Sequence, residues 1–216
     1  MKDIRRKFIS WSFIALSLTS IYAEEIPEIA NGDLIFQVEG KSDFSKAIAA
    51  STAYGDSIKV IHVGILERKP EGKINVIEAS PEEGVRIMPL KDFLEESPVI
   101  FGKPGVIVKR VNTPFPKESS VNRAKSHLGE DYDWNFLPNN GKMYCSELIY
   151  DSYLYENGER IFDLKPMNFL DSDGTMPDFW IELFGKLNQE VPQGVEGSNP
   201  NDLFKDPLLI EVKRYF

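Results

Sequence analysis

His62, Glu78 and Cys145 are the residues of this 216-residue chain whose types together could carry out nucleophilic chemistry. Cys145 is the only cysteine. It stands in Met143-Tyr144-Cys145-Ser146-Glu147-Leu148-Ile149-Tyr150, after the helix-breaking run Leu137-Pro138-Asn139-Asn140-Gly141. Apolar positions at helical spacing follow (Leu148, Ile149, Tyr153), so the pattern predicts a loop turning into a helix that ends near Asn157-Gly158. Cys145 falls in the first turn of that helix, where the positive end of the dipole favours thiolate over thiol. The plain alternative for a lone cysteine is a small buried hydrophobe.

His62 lies in the β-rich run 57–66 and Glu78 in a second run, 74–79. Lys69-Pro70-Glu71-Gly72-Lys73 between them is a turn signal, so the two runs form an antiparallel hairpin. With the turn centred near Pro70, His62 is expected directly opposite Glu78, with Cβ atoms about 4.5–5.5 Å apart on one face. A slip of one residue would send the two side chains to opposite faces. A carboxylate beside an imidazole holds one tautomer and stabilises the imidazolium. The plain alternative is an ordinary polar cross-strand pair. Apolar residues flank His62, Gly64 leaves room for a close approach, and a buried histidine needs a partner such as Glu78. Nucleophile, base and orienting group would then be present in the order His, Glu, Cys.

The elements that must position them alternate along the chain. A short strand at 33–38 precedes a helix from a Ser42 cap to about Tyr54. The hairpin is followed by a strand at 84–88 and a short helix opened by Pro89. A strand at 106–111, a polar helix at 119–128 and an aromatic loop at 132–136 come next. Beyond the cysteine helix, an aromatic helix at 177–187, a long loop at 192–202 and a strand at 208–215 complete an α+β domain built around an antiparallel sheet. His127, Glu147 and Asp151 read as solvent-facing. Asp171-Ser172-Asp173-Gly174 lacks the ligand spacing of a calcium loop, so no metal and no cofactor is assigned.

Gly32-Asp33-Leu34-Ile35-Phe36-Gln37, His62-Val63-Gly64-Ile65, Val76-Ile77-Glu78-Ala79 and Tyr144-Cys145-Ser146-Glu147-Leu148-Ile149 together resemble the permuted papain-like amidases of the YaeF/YiiX type, relatives of the NlpC-like cell-wall peptidases. The resemblance runs from about residue 32 to the C-terminus. It implies a circularly permuted papain-like fold, with an antiparallel sheet packed against helices that include the nucleophile helix. It also implies Cys145 as nucleophile, His62 as base and Glu78 as orienting partner, without a cofactor. Tyr132 resembles the aromatic residue that related enzymes place beside the substrate, and Tyr144 is expected there too. Gln37, at the end of the first strand, is a candidate oxyanion donor alongside the Cys145 N–H, or else a structural amide.

Residues 1–23 read as a secretory signal: Lys2, Arg5, Arg6 and Lys7 are followed by an apolar run from Phe8 to Leu18, and Ala23 suits the last position before cleavage. The run is shorter than the ~20 apolar residues a membrane span needs, so export without a stable anchor is expected, to a periplasm or beyond. Losing four basic residues and one acid takes the net charge from −9 to about −12. Such a chain is a poor partner for nucleic acid. Residues 24–216 are long enough for a single catalytic domain. One cysteine excludes an internal disulfide framework and leaves a free thiol that calls for a purpose. An exported cysteine amidase or peptidase acting on a small peptide or amide, with peptidoglycan-derived peptides among the candidates, is the leading expectation. A thiol-dependent acyltransferase of the same fold and a non-catalytic binding module are the alternatives; a lipid-lined pocket would favour the first of these two, and the intact trio argues against the second.

Overall fold

The computed structural model describes residues 29–216. The expected signal at 1–23 and the start of the domain expected at 24–216 lie outside them. In chain order come β1 (Leu34–Val38), α1 (Asp43–Thr52), β2 (Val60–Arg68), β3 (Ile74–Ser80), β4 (Gly84–Pro89), α2 (Leu90–Glu96), β5 (Val99–Ile100), β6 (Lys103–Pro104) and β7 (Val106–Val111). They are followed by α3 (Lys117–Ser126), α4 (Cys145–Ser152), β8 (Lys165–Pro166), α5 (Asp178–Leu187), β9 (Glu196–Gly197), α6 (Pro200–Lys205) and β10 (Leu209–Arg214). Six strands form one sheet in the order β10-β7-β1-β2-β3-β4, with every neighbouring pair antiparallel.

Alternation along the strands divides the apolar residues between two faces. Leu34, Phe36, Val63, Ile65, Ile77 and Ala79 meet α1, α3, α4, α5 and α6 in the larger core. Ile35, Leu66, Val76, Val106 and Val108 point the other way, toward Phe93 of α2 and Val212 of β10. Because both faces are covered, the central strands read as nearly continuous apolar runs. The Ser42 hydroxyl accepts from Ser45 N at 3.1 Å and starts α1 as its sequence predicts.

Three expectations are corrected. The helix after Cys145 ends at Ser152 instead of near Asn157-Gly158: Tyr153 is fully buried and its hydroxyl donates to the Gly32 carbonyl at 3.0 Å. The chain then turns tightly, with Gly158 at φ 85° and a bridge between Leu154 and Arg160. The segment expected as loop, 192–202, contains β9 and the start of α6, whose Asn199 cap accepts from Asp202 N at 2.9 Å with Pro200 in the first turn. The β2–β3 turn is centred one residue later than expected, since Lys69 N donates to Lys73 O and Gly72 N to Lys69 O. Leu66 therefore pairs with Val76 and Ile65 with Ile77. Continued, that register sets Ser80 across from His62 and Gly64 across from Glu78. The slip amounts to two residues at each partner, so His62 and Glu78 still share a face.

Candidate active site

Cys145 is the first residue of α4, behind an extended Tyr144 at φ −97° and ψ 166°. The first N–H groups of a helix have no carbonyl of their own helix to bond, so they converge on whatever lies in front of Cys145. The approach to the helix is fixed by the aromatic loop: Asp133 N donates to Met143 O and Met143 N to Asp131 O, both at 3.1 Å. Asp133 is fully buried, and its carboxylate accepts from Asn135 N at 2.9 Å and Leu137 N at 2.8 Å, which curls the loop over the cysteine. Only 4% of Cys145 is exposed. It borders a cavity of ≈50 Å³ whose walls include Tyr132, Phe136, Tyr144, Phe169 and Trp180.

His62 stands near the start of β2, beside a bulge at Gln37/Val38 where the β1 ladder skips Ile61. Its ring stacks on Phe93 of α2 at 6.3 Å and 30°. Nε2 lies 2.5 Å from Glu78 Oε2, and the Cys145 thiol is near enough to the ring to act on its charge. The imidazole thus joins a residue of β3 to the first residue of α4, reaching both sides of the sheet from its end. Burial disfavours the charged ring, but the bonds and charges of Cys145 and Glu78 outweigh it and push the His62 pKa up to about 10. Burial acts on Glu78 in the opposite sense, and His62 and Arg86 together hold its carboxyl below the usual range. His62 and Glu78 line a broad cleft of ≈760 Å³ with Ser80, Arg86 and Gln37. Cys145 borders the small aromatic cavity instead, so the thiol–imidazole contact lies at the partition between the two spaces. A third cleft of ≈940 Å³, between Lys73 and Pro104, contains none of the three residues.

The other sequence candidates fall on both sides of that partition. Tyr132 is 6% exposed, and its ring packs 4.9 Å from Trp134, edge-on. Burial and the nearby Cys145 raise its phenol pKa well above 10, so it is neutral. Tyr144 accepts from Ser198 N at 3.1 Å, and burial pushes its pKa up to about 12. Gln37 is the cross-strand neighbour of His62 in β1, and it donates to Ser97 Oγ at 2.9 Å.

Two residues read as solvent-facing are not. His127 is held between Glu130, at 3.0 Å from Nδ1, and Asp151, at 3.0 Å from Nε2. Glu147 lies beside the Tyr144 backbone in the first turn of α4, and its Oε2 is buried without a hydrogen-bond partner. Burial, reinforced by Asp133, Asp151 and Glu130, raises its pKa to about 8. Spacing on an isolated helix did not show these contacts because the aromatic loop and the end of α3 cover that side of α4.

Sequence reasoning also missed Arg86 and Asn201. Arg86 is the ladder partner of Glu78 in β4 and bonds it directly. A glutamate facing an arginine across consecutive strands was readable in principle. Asn201, 1% exposed, accepts from Val60 N at 3.0 Å and donates to Val60 O at 2.6 Å, two residues before His62. Its distance along the chain left no sequence signal.

The arrangement is a thiol, an imidazole and a carboxylate in series, beside helix N–H groups. Residues 28–213 match the pattern of the permuted papain-like amidase enzymes, YaeF/YiiX, C92 family. The chain belongs to this family. It is 28% identical over 187 residues to the uncharacterized protein YiiX of Escherichia coli (strain K12), covering 85% of each chain. The crystal structure of the metalloprotein YiiX from Escherichia coli O157:H7 superposes with a TM-score of 0.68 at 27% identity, over 85% of this chain and 96% of that one. Membership makes the protein a cysteine hydrolase of the amidase or peptidase kind, on the mixed α+β fold expected from the sequence.

Proposed function

We propose that the protein is an exported cysteine amidase or peptidase in which Cys145 attacks an amide carbonyl, His62 shuttles the proton and Glu78 orients His62. The observation that carries this reading is the His62 ring, bonded to Glu78 and set beside Cys145. With the pKa of His62 pushed up to about 10, the ring is protonated at neutral pH and can face a thiolate. Sγ forms a bond to the carbonyl carbon, and the oxyanion is met by the Cys145 N–H, with the second amide hydrogen of Gln37 as a further donor. The C–N bond then breaks as the imidazolium protonates the departing amine, leaving a thioester. Neutral His62 next takes a proton from water, hydroxide adds to the thioester, and the acid and the thiol are released.

Small peptides or amides, including peptidoglycan-derived ones, are the proposed substrates, with no nucleic acid among the partners. The basic start and apolar run within residues 1–23 support export to a periplasm or the medium, with cleavage near Ala23. Incubating purified protein with muropeptides and following products by mass spectrometry tests the activity, with Cys145→Ala as control. New amine and acid termini that disappear in the variant are expected. Their absence across cell-wall peptides would overturn the peptide assignment.

A second reading, thiol-dependent acyl transfer, is favoured by one observation: the cavity beside Cys145, ≈50 Å³ in volume, is walled by Ile48, Phe136, Phe169 and Trp180, which suits a short apolar acyl group. Acyl-lipids in the same assay separate the two, since transfer conserves the acyl group on an added acceptor. The related YiiX crystal structure is of a metalloprotein. Among the described residues of this chain no group of three His, Cys, Asp or Glu side chains is placed to hold a metal ion.

A further inference from the structure

The two oxygens of Glu78 are divided between two partners. Oε2 faces His62 at 2.5 Å, and Oε1 receives Nε of Arg86 at 2.9 Å and its Nη2 at 2.8 Å. Arg86 is in turn fixed by other carboxylates: Nη1 is 3.1 Å from Glu83 in the preceding turn, and Nη2 is 3.1 Å from Glu96 at the end of α2. The Glu78 side chain is 4% exposed and that of Arg86 22%, so the guanidinium lies between the buried carboxylate and solvent. A planar guanidinium bonding through two of its nitrogens fixes direction as well as charge.

We propose that Arg86 is a positioning residue of this site: by holding Oε1 of Glu78 it keeps the carboxylate ionised and aims Oε2 at His62. The proposal rests on the Cys145–His62–Glu78 reading above. A buried carboxylate tends to take up a proton, and a neutral Glu78 would stabilise imidazolium less and leave the thiolate without its cation. The charged groups bonded to Glu78 are His62 from β2 and Arg86 from β4; Glu83 and Glu96 act through Arg86, Cys145 acts through His62, and Glu82, bonded to Ser80 Oγ at 2.9 Å, lines the same cleft. His62 and Arg86 are the groups that favour the ionised carboxylate, and Arg86 is the permanently charged one.

The test is the pH profile of Cys145 alkylation by iodoacetamide, which needs no substrate, in wild type, Arg86→Met, Arg86→Lys, Glu96→Gln and His62→Ala. Circular dichroism and melting temperature accompany each. Arg86→Met is expected to move the acid limb up by about 1 pH unit or more and to slow labelling at pH 6 about tenfold. Arg86→Lys, which keeps the charge and loses the fork, should recover part of the shift, and Glu96→Gln should give a smaller one. If Arg86→Met does not fold, the lysine and Glu96 variants decide by the same limb. Limbs that coincide with wild type in the folded Arg86 variants would overturn the Arg86 proposal alone. Wild-type labelling that His62→Ala leaves unchanged would overturn the thiol–imidazole reading itself.

Discussion

Glu78 Oε2 lies 2.5 Å from His62 Nε2 although Gly64, continuing the β2–β3 ladder beyond Ile65–Ile77, is the residue across from Glu78. The pair is diagonal, two residues out of direct opposition. Diagonal neighbours start about 7–8 Å apart, a gap that an imidazole and a glutamate leaning toward each other can close. Gly64 has no side chain to stand between the strands at that point. A Cβ there would come within 2.8 Å of Val76 Cγ1 and 3.1 Å of the Ile77 carbonyl oxygen, both in the packed interior.

Gly64→Ala is therefore expected to force β2 and β3 apart beside the His62–Glu78 bond. Overpacking of this kind costs about 1–3 kcal/mol. Thermal melting should show the loss, and His62-dependent labelling of Cys145 should fall with it. A variant with wild-type melting and labelling would show that the strands absorb the extra methyl without disturbing the diagonal pair.

The state of His62 can be read directly by NMR titration. Its pKa, pushed up to about 10, owes part of the rise to Cys145. Cys145→Ala should bring the titration down toward the ordinary 6.5, and Glu78→Gln should lower it as well. Stability follows the same sign: the protonated ring contributes fully below about 6.5 and its contribution is lost as pH rises through about 10. Glu78 is the mirror case, contributing above the ordinary 4.5 and losing that contribution as pH falls through its lowered value. Glu78→Gln is expected to keep the fold and lower turnover roughly 10²-fold or more, with KM little changed.

What the chain discloses by itself follows the range of its interactions. β1, α1 and its Ser42 cap, β2, β3, β7 and α5 are legible because alternation, caps and turn residues act over a few positions. The Cys145 helix start was legible for the same reason. The parity of His62 and Glu78 held even though the turn was misplaced, because an even slip keeps both side chains on one face. The covered positions of Glu147 and His127 were not legible, since the residues that enclose them, Asp133 and Asp151, come from other segments. α6 was passed over in a proline- and glycine-rich stretch although Asn199-Pro200 is a helix-start signal.

Glu147 makes the fold sensitive to pH in the neutral range. Its pKa is raised to about 8 by burial and neighbouring acids, so the folded protein binds a proton that the unfolded chain releases near 4.5. The stability tied to that proton is fully present below 4.5 and is lost as pH rises through about 8. Glu147→Gln removes the titration. Its melting temperature relative to wild type should rise from pH 5 to pH 9, and a difference constant over that range would contradict the raised value.

Asn201 holds the start of β2 although it belongs to α6. Its side chain satisfies both the N–H and the C=O of Val60 and also donates to Thr52 Oγ1 at 2.7 Å. Val60 itself is fully buried, so water does not readily replace those bonds. Asn201→Ala leaves both backbone groups unpaired and should cost about 2–4 kcal/mol, with a fall in melting temperature of roughly 5–10 °C. Asn201→Asp can still accept from Val60 N but cannot donate to Val60 O, and it adds a buried charge, so it should not rescue the alanine variant. Because Val60 precedes His62 by two residues at the bulge, loosening it should also move the imidazole. Cys145 labelling at pH 7 should slow in Asn201→Ala below the temperature at which the variant begins to melt. Labelling unchanged in the folded variant would confine Asn201 to stability and leave the placement of His62 to Glu78 and Phe93.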